Sequence, residues 1–228
     1  MRRRQRLHRS FLLILFVLSC QTAAAGGSSE TADTRPRIVA FGNSLTAGLG
    51  VSRNDAYPAQ LQRRLEQLEY RYRVINAGVS GDTTAGGLRR IPWVLNNKPD
   101  LLILELGGND GLRGLSLEQT KNNLSRIIEQ LQQADVTVIL AGMKLPPNYG
   151  QDYTRNFEAI YQALAKQYHL PLIPFFLEGV AASSALNQPD GIHPTKEGYR
   201  IVVEQVLKVL TPLLQERSAK SKGAQERN

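Results

Sequence analysis

A serine hydroxyl becomes a competent nucleophile at neutral pH only with a base in hydrogen-bond reach, and a histidine base needs a third group to fix its tautomer. The chain has three histidines, and only His193 has a well-placed acid: Asp190 lies three residues before it, in a segment that Pro189, Gly191 and Pro194 constrain to one turn. His8 falls in an arginine-rich leader. His169 ends a helical stretch beside Pro171, where a surface or helix-end role is expected. Ser44, within Gly42, Asn43, Ser44 and Leu45, follows an apolar run directly, and Gly42 permits a tight turn there. Taken alone, this tetrapeptide fits an ordinary β-α loop with a capping serine equally well. It is neither a phosphate-binding GxGxxG or P-loop pattern nor the G-x-S-x-G nucleophile elbow.

Acyl transfer through a serine also needs donors aimed at the tetrahedral oxyanion. The Gly81 amide, the Asn109 side-chain amide and the Ser44 backbone amide are the candidates. Taken alone, Gly107, Gly108, Asn109 and Asp110 also suit a turn that closes a strand.

These residues need a scaffold that brings them together. Short β-rich runs at Arg37–Phe41, Arg73–Asn76, Leu101–Leu106, Val136–Ala141 and Leu172–Phe175 alternate with helical patterns at Tyr57–Glu69, Thr84–Leu95, Leu117–Gln133, Tyr153–Tyr168 and Lys196–Leu214. Several strands are apolar without alternation, which suits a parallel sheet covered on both faces. In Leu117–Gln133, Leu124, Ile127, Ile128 and Leu131 follow helical spacing, with Ser116 and Gln119 spaced for a capping box. Five β-α pairs predict an α/β fold, a three-layer α/β/α sandwich. Such open sheets bind ligands outside the carboxyl ends of their strands, and the loops leaving the first three strands hold Ser44, Gly81 and Asn109.

At 228 residues the chain suits one domain with a sizeable core. Its net charge of +8 is concentrated at the ends. The first 21 residues carry five arginines and no acid, and Glu216–Asn228 carries four basic and two acidic residues, leaving 19 basic against 18 acidic between them. A nearly neutral body without a basic, aromatic-interleaved stripe argues against a nucleic-acid partner. The arginine cluster, the apolar run Phe11–Leu18 and Ala23–Ala25 match a cleavable secretory signal over residues 1–25, and the apolar run is too short to span a bilayer. Cys20, the only cysteine, rules out an intramolecular disulfide. Its setting loosely resembles a lipobox, so the expected destination is periplasmic or secreted, with a lipoprotein anchored through Cys20 as the alternative. Residues 26–36 read as a linker, 37–214 as the domain and 215–228 as a polar, disordered tail.

Taken together, the blocks around Ser44, Gly81, Asn109 and Asp190–His193 resemble the SGNH (GDSL-like) hydrolase family, over roughly Arg37–Leu214. Residue by residue, the resemblance makes Ser44 the nucleophile, Gly81 and Asn109 oxyanion donors, and Asp190 and His193 the acid and base. The stretches Glu105–Gly114, Leu145–Gly150 and Pro171–Leu177 look most like the bacterial periplasmic multifunctional thioesterase, arylesterase and lysophospholipase branch. That likeness implies a flavodoxin-like fold, no metal or cofactor, and a small-molecule acyl ester or thioester as substrate; the chain itself is expected to be a monomer. It also implies an acyl groove along Leu112, Leu115, Leu145, Pro146 and Tyr149, although packing of surface loops explains these residues as well. Trp93 and Met143 read as packing residues. Asn43 departs from the usual aspartate of the GDSL block; asparagine keeps the size and a carbonyl acceptor and loses the charge. The competing readings are a carbohydrate O-acetylesterase of the same family and a non-catalytic envelope binding protein on the same scaffold.

Overall fold

The computed structural model of the chain describes residues 33–225; the leader, Cys20 and most of the linker lie outside them. Among the described residues, five parallel strands form one sheet: β1 (Arg37–Gly42), β2 (Arg73–Gly78), β3 (Leu101–Glu105), β4 (Thr137–Ala141) and β5 (Leu172–Ile173), in the order β2-β1-β3-β4-β5. The helices are α1 (Ser44–Ala47), α2 (Tyr57–Gln67), α3 (Thr84–Asn96), α4 (Gly108–Leu112), α5 (Leu117–Gln133), α6 (Gln151–Gln167) and α7 (Lys196–Gln225). On one face of the sheet α3, α5 and α6 pack side by side, and α2 and α7 pack against each other on the other, as right-handed crossovers require for this strand order. This is the three-layer sandwich that the alternation of β and α patterns predicts.

The apolar runs behave as expected of covered strands. Ile38–Phe41, Leu101–Leu104 and Val138–Ala141 are buried on both faces of the sheet. The stripe Leu124, Ile127, Ile128 and Leu131 is buried along α5, and Ser116 caps that helix by accepting from the Gln119 amide. Pro58 in the first turn of α2 fills a position that has no intrahelical donor to lose.

Strand β2 is an edge strand, and side chains occupy its outer margin. Gln62 of α2 accepts from the Val74 amide at 2.7 Å and donates to the Tyr72 carbonyl at 3.0 Å, while Asn76 Oδ1 accepts from the Gly78 amide at 2.9 Å.

Three expectations need correction. The fifth strand is only Leu172–Ile173, because Pro174 has no amide to extend the ladder and the chain turns away, the Phe176 amide donating to the Gly142 carbonyl. The polar tail expected to be disordered after Leu214 is instead helical through Gln225, and Arg217 donates to the Asp100 carbonyl and to Thr137 Oγ1. Trp93 is no packing residue: it stands 53% exposed on the outer face of α3. Met143 is buried as expected, and His169 is an exposed residue just beyond α6 with a left-handed φ of 52°.

Candidate active site

The register of the sheet sets the site. Gly42 pairs with Gly78 on one side and Glu105 on the other, so β1, β2 and β3 end level and their loops leave one edge together. In this strand order the edge above β1 and β3 is the topological switch point, where successive connections diverge and leave a crevice. Gly42 is required by close approach: a methyl group there would overlap Thr46 Oγ1 and the Glu105 carboxylate.

The structure brings Ser44, His193 and Asp190 together across 149 residues of sequence. Ser44 Oγ lies 2.8 Å from His193 Nε2, and His193 Nδ1 lies 2.6 Å from Asp190 Oδ2. The carboxylate on the Nδ1 side favours the tautomer whose Nε2 can accept a hydrogen bond from the Ser44 hydroxyl. Asp190 is itself clamped, its Oδ1 accepting from the Ile192 amide at 2.9 Å and the His193 amide at 3.0 Å. Donation from the His193 amide, joined by the Ile192 amide and the imidazole, outweighs partial desolvation and lowers the Asp190 carboxyl to about 2. The carboxylate therefore stays charged through the acid range.

Asn43 anchors the loop that holds Ser44. Its Oδ1 caps α1 by accepting from the Leu45 amide at 2.9 Å and lies 3.4 Å from Ser44 Oγ. Its Nδ2 donates to Glu105 Oε1 at 2.7 Å, and its backbone amide donates to Glu105 Oε2 at 3.2 Å. Thr46 Oγ1 donates to the same oxygen at 2.8 Å. Glu105 is fully buried at the end of β3. Burial pushes its carboxyl up to about 7 against the opposing bonds from Thr46 and Asn43. Sequence reasoning missed Glu105 as part of the site; a lone acid ending an apolar strand was its only signal.

Gly81 sits in the loop after β2 with a left-handed φ of 80°, a conformation glycine adopts without strain. Asn109 opens the first turn of α4, with Nδ2 donating to the Asp82 carbonyl at 2.8 Å. Asp110 points the other way and holds α3, accepting from the Thr84 amide at 2.9 Å and the Thr84 hydroxyl at 2.5 Å.

The expected groove residues divide. Leu115, Pro146 and Tyr149 are exposed, and Leu112 is half-buried, its carbonyl accepting from the Tyr149 hydroxyl at 3.0 Å. Leu145 turns inward and packs where any side chain at Gly111 would stand, so it belongs to the core and not to an open groove. Sequence reasoning passed over Leu49, Val79 and Ile192, which are also exposed on loops of this edge. Among the described residues no group of three or more His, Cys, Asp or Glu side chains is arranged to hold a metal ion, and no helix is long and apolar enough to cross a membrane.

A five-stranded parallel sheet of this order is a flavodoxin-like α/β scaffold, and at its carboxyl edge it carries a serine, a histidine and an aspartate in hydrogen-bond reach of one another. Residues 40–201 match the GDSL-like Lipase/Acylhydrolase family, and the chain belongs to it. It is 44% identical to Esterase TesA of Pseudomonas aeruginosa over 178 residues, 78% of this chain and 89% of that protein. It is 38% identical to Thioesterase 1/protease 1/lysophospholipase L1 of Escherichia coli strain K12 over 210 residues, 92% of this chain and 94% of that protein. Among solved structures, AlinE4, an SGNH-hydrolase family esterase, matches at a TM-score of 0.67 and 46% identity, over 80% of this chain and 96% of that one.

Proposed function

We propose that the chain is a serine hydrolase cleaving carboxylic esters and thioesters of acyl chains through a covalent acyl-enzyme. The observation that carries this reading is the unbroken chain from Ser44 Oγ through His193 to Asp190, with contacts of 2.8 and 2.6 Å. Ser44 Oγ attacks the acyl carbonyl as its proton passes to His193 Nε2. Asp190 holds the ring and stabilises the imidazolium, and the oxyanion is received by the Gly81 and Ser44 amides and the Asn109 side chain. His193 then protonates the departing alcohol or thiol. Water, deprotonated by the same imidazole, attacks the acyl-enzyme, and His193 returns that proton to Ser44 Oγ as the acid departs.

The names of the relatives support the substrate class, and the apolar side chains exposed around the edge support an acyl group over a sugar. A fluorophosphonate probe is expected to label the wild type and not Ser44→Ala, which should also lose ester turnover by about 10⁴-fold or more. Equal labelling of both proteins would overturn the assignment. Export rests on the leader: a mature chain beginning at Gly26 fits a periplasmic or secreted enzyme, and one beginning at a lipidated Cys20 fits an anchored form. Measuring the mass of the mature chain decides between them.

A further inference from the structure

One guanidinium touches the backbone behind most of this machinery and has no role in the mechanism above. Arg90, halfway along α3, donates from Nε and Nη2 to Asp82 Oδ2 at 2.8 and 2.6 Å. Its Nη1 donates to the Ala77 carbonyl at 2.9 Å and its Nη2 to the Gly42 carbonyl at 3.2 Å, with the guanidinium carbon 4.4 Å from the centre of the Phe41 ring. The side chains of Arg90 and Asp82 are only 21% and 10% exposed, so the ion pair is poorly screened.

Each of these partners borders a catalytic loop. Gly42 is two residues before Ser44, while Ala77 and Asp82 bracket the loop that carries Gly81. The Asp82 carbonyl takes one N–H of the Asn109 amide, which leaves the other to point elsewhere. The carboxylate of Asp82 lies over the first turn of α3, in space that a side chain at Gly86 would fill. A lysine cannot replace this arrangement, because a single ammonium cannot meet three separated acceptors in one plane while stacking on a ring. Nor does α3 depend on Arg90 for its place. The helix is also fixed by buried Ile91 and Val94, by its Thr83 cap and by the bonds from Thr84 to Asp110.

We propose that Arg90 is a positioning residue of the oxyanion hole, aiming the Gly81 and Asn109 donors relative to Ser44 through Asp82 and the carbonyls of Gly42 and Ala77, alongside Arg113, which donates to the Gly81 carbonyl at 3.0 Å. This rests on the reading of Gly81 and Asn109 as oxyanion donors. Because Arg90 touches neither Ser44, His193 nor Asp190, it acts on stabilisation of the tetrahedral intermediate and leaves proton transfer alone.

The test is steady-state hydrolysis of a p-nitrophenyl ester by Arg90→Lys and Asp82→Asn, with Asn109→Ala and the double variant Arg90→Lys/Asn109→Ala. Loss of a full oxyanion donor costs about 10²- to 10³-fold, so misaiming is expected to lower kcat by roughly 10- to 100-fold in each positioning variant, with KM within about twofold of wild type. The pH dependence of kcat/KM keeps its midpoints. If Arg90 works through Asn109, the double variant loses far less than the product of the single losses. Unchanged kcat in folded Arg90→Lys and Asp82→Asn, or multiplicative losses in the double variant, would overturn the proposal. Should Arg90→Lys fail to fold, Asp82→Asn with Asn109→Ala forms the same cycle. Failure of the serine-hydrolase reading shows separately, as persistent probe labelling of Ser44→Ala.

Discussion

Asn43 and Glu105 make the site's pH behaviour calculable. Three donors converge on a carboxylate that burial has raised from 4.5 to about 7, so the native state holds a proton that the unfolded chain releases. The sign follows: this stabilising contribution is complete below pH 4.5 and is lost as pH rises through 7, a decline of roughly 3 kcal/mol at 1.36 kcal/mol per pKa unit. Urea unfolding of Glu105→Gln between pH 4 and 8 is expected to show this slope removed; an unaltered slope would place the titrating group elsewhere. Asp190 contributes in a different window, present above its ordinary value of 3.8 and lost as pH falls towards 2. Asn43 suits this neighbour because its amide donates to a carboxylate, where an aspartate would set a second acid 2.7 Å from Glu105 and oblige the pair to share a proton.

At the scale of elements, the edge where β1, β2 and β3 end level was legible in the sequence because apolar runs bounded by glycine give both the strands and their exits. Less legible were elements decided by tertiary contacts. Leu145, flanked by Lys144 and Pro146, reads as a loop residue, yet the missing side chain at Gly111 leaves it a place in the core. The Arg90–Asp82 pair reads as solvated charge until α3 folds back over the sheet edge. The polar composition after Leu214 hides a helix whose Arg217 reaches the opposite end of the sheet from Ser44, at Asp100 and Thr137. Ending the chain after Gln215 removes those bonds and is expected to lower stability by about 1 kcal/mol without altering kcat, as read from urea midpoints and ester turnover. Unchanged stability would mean that the extension is merely appended.

Over the whole molecule, apolar exposure is uneven. Leu49, Val79, Leu115, Tyr149 and Ile192 belong to different connections at the sheet edge that holds Ser44, while Leu68 and Trp93 are the other large apolar side chains well exposed among the described residues. A surface so arranged favours a substrate whose apolar part outlasts the reacting group. Hydrolysis of p-nitrophenyl octanoate is therefore expected to exceed that of acetate in kcat/KM by about tenfold or more, each buried methylene contributing up to ~0.8 kcal/mol. Preference for acetate would instead favour the O-acetylesterase reading. Loop apolarity of this kind escapes sequence patterning, since a single leucine between polar neighbours gives no period.

The margin of β2 carries a consequence for how copies of the protein meet. An uncovered edge strand offers its row of amides and carbonyls to any passing extended segment. Here Gln62 and Asn76 already fill that role, and at the far margin β5 has only two residues to offer. Recruitment of a sixth strand finds little purchase on either side. Among the described residues, the sheet therefore leaves little free backbone through which one copy could add a strand to another.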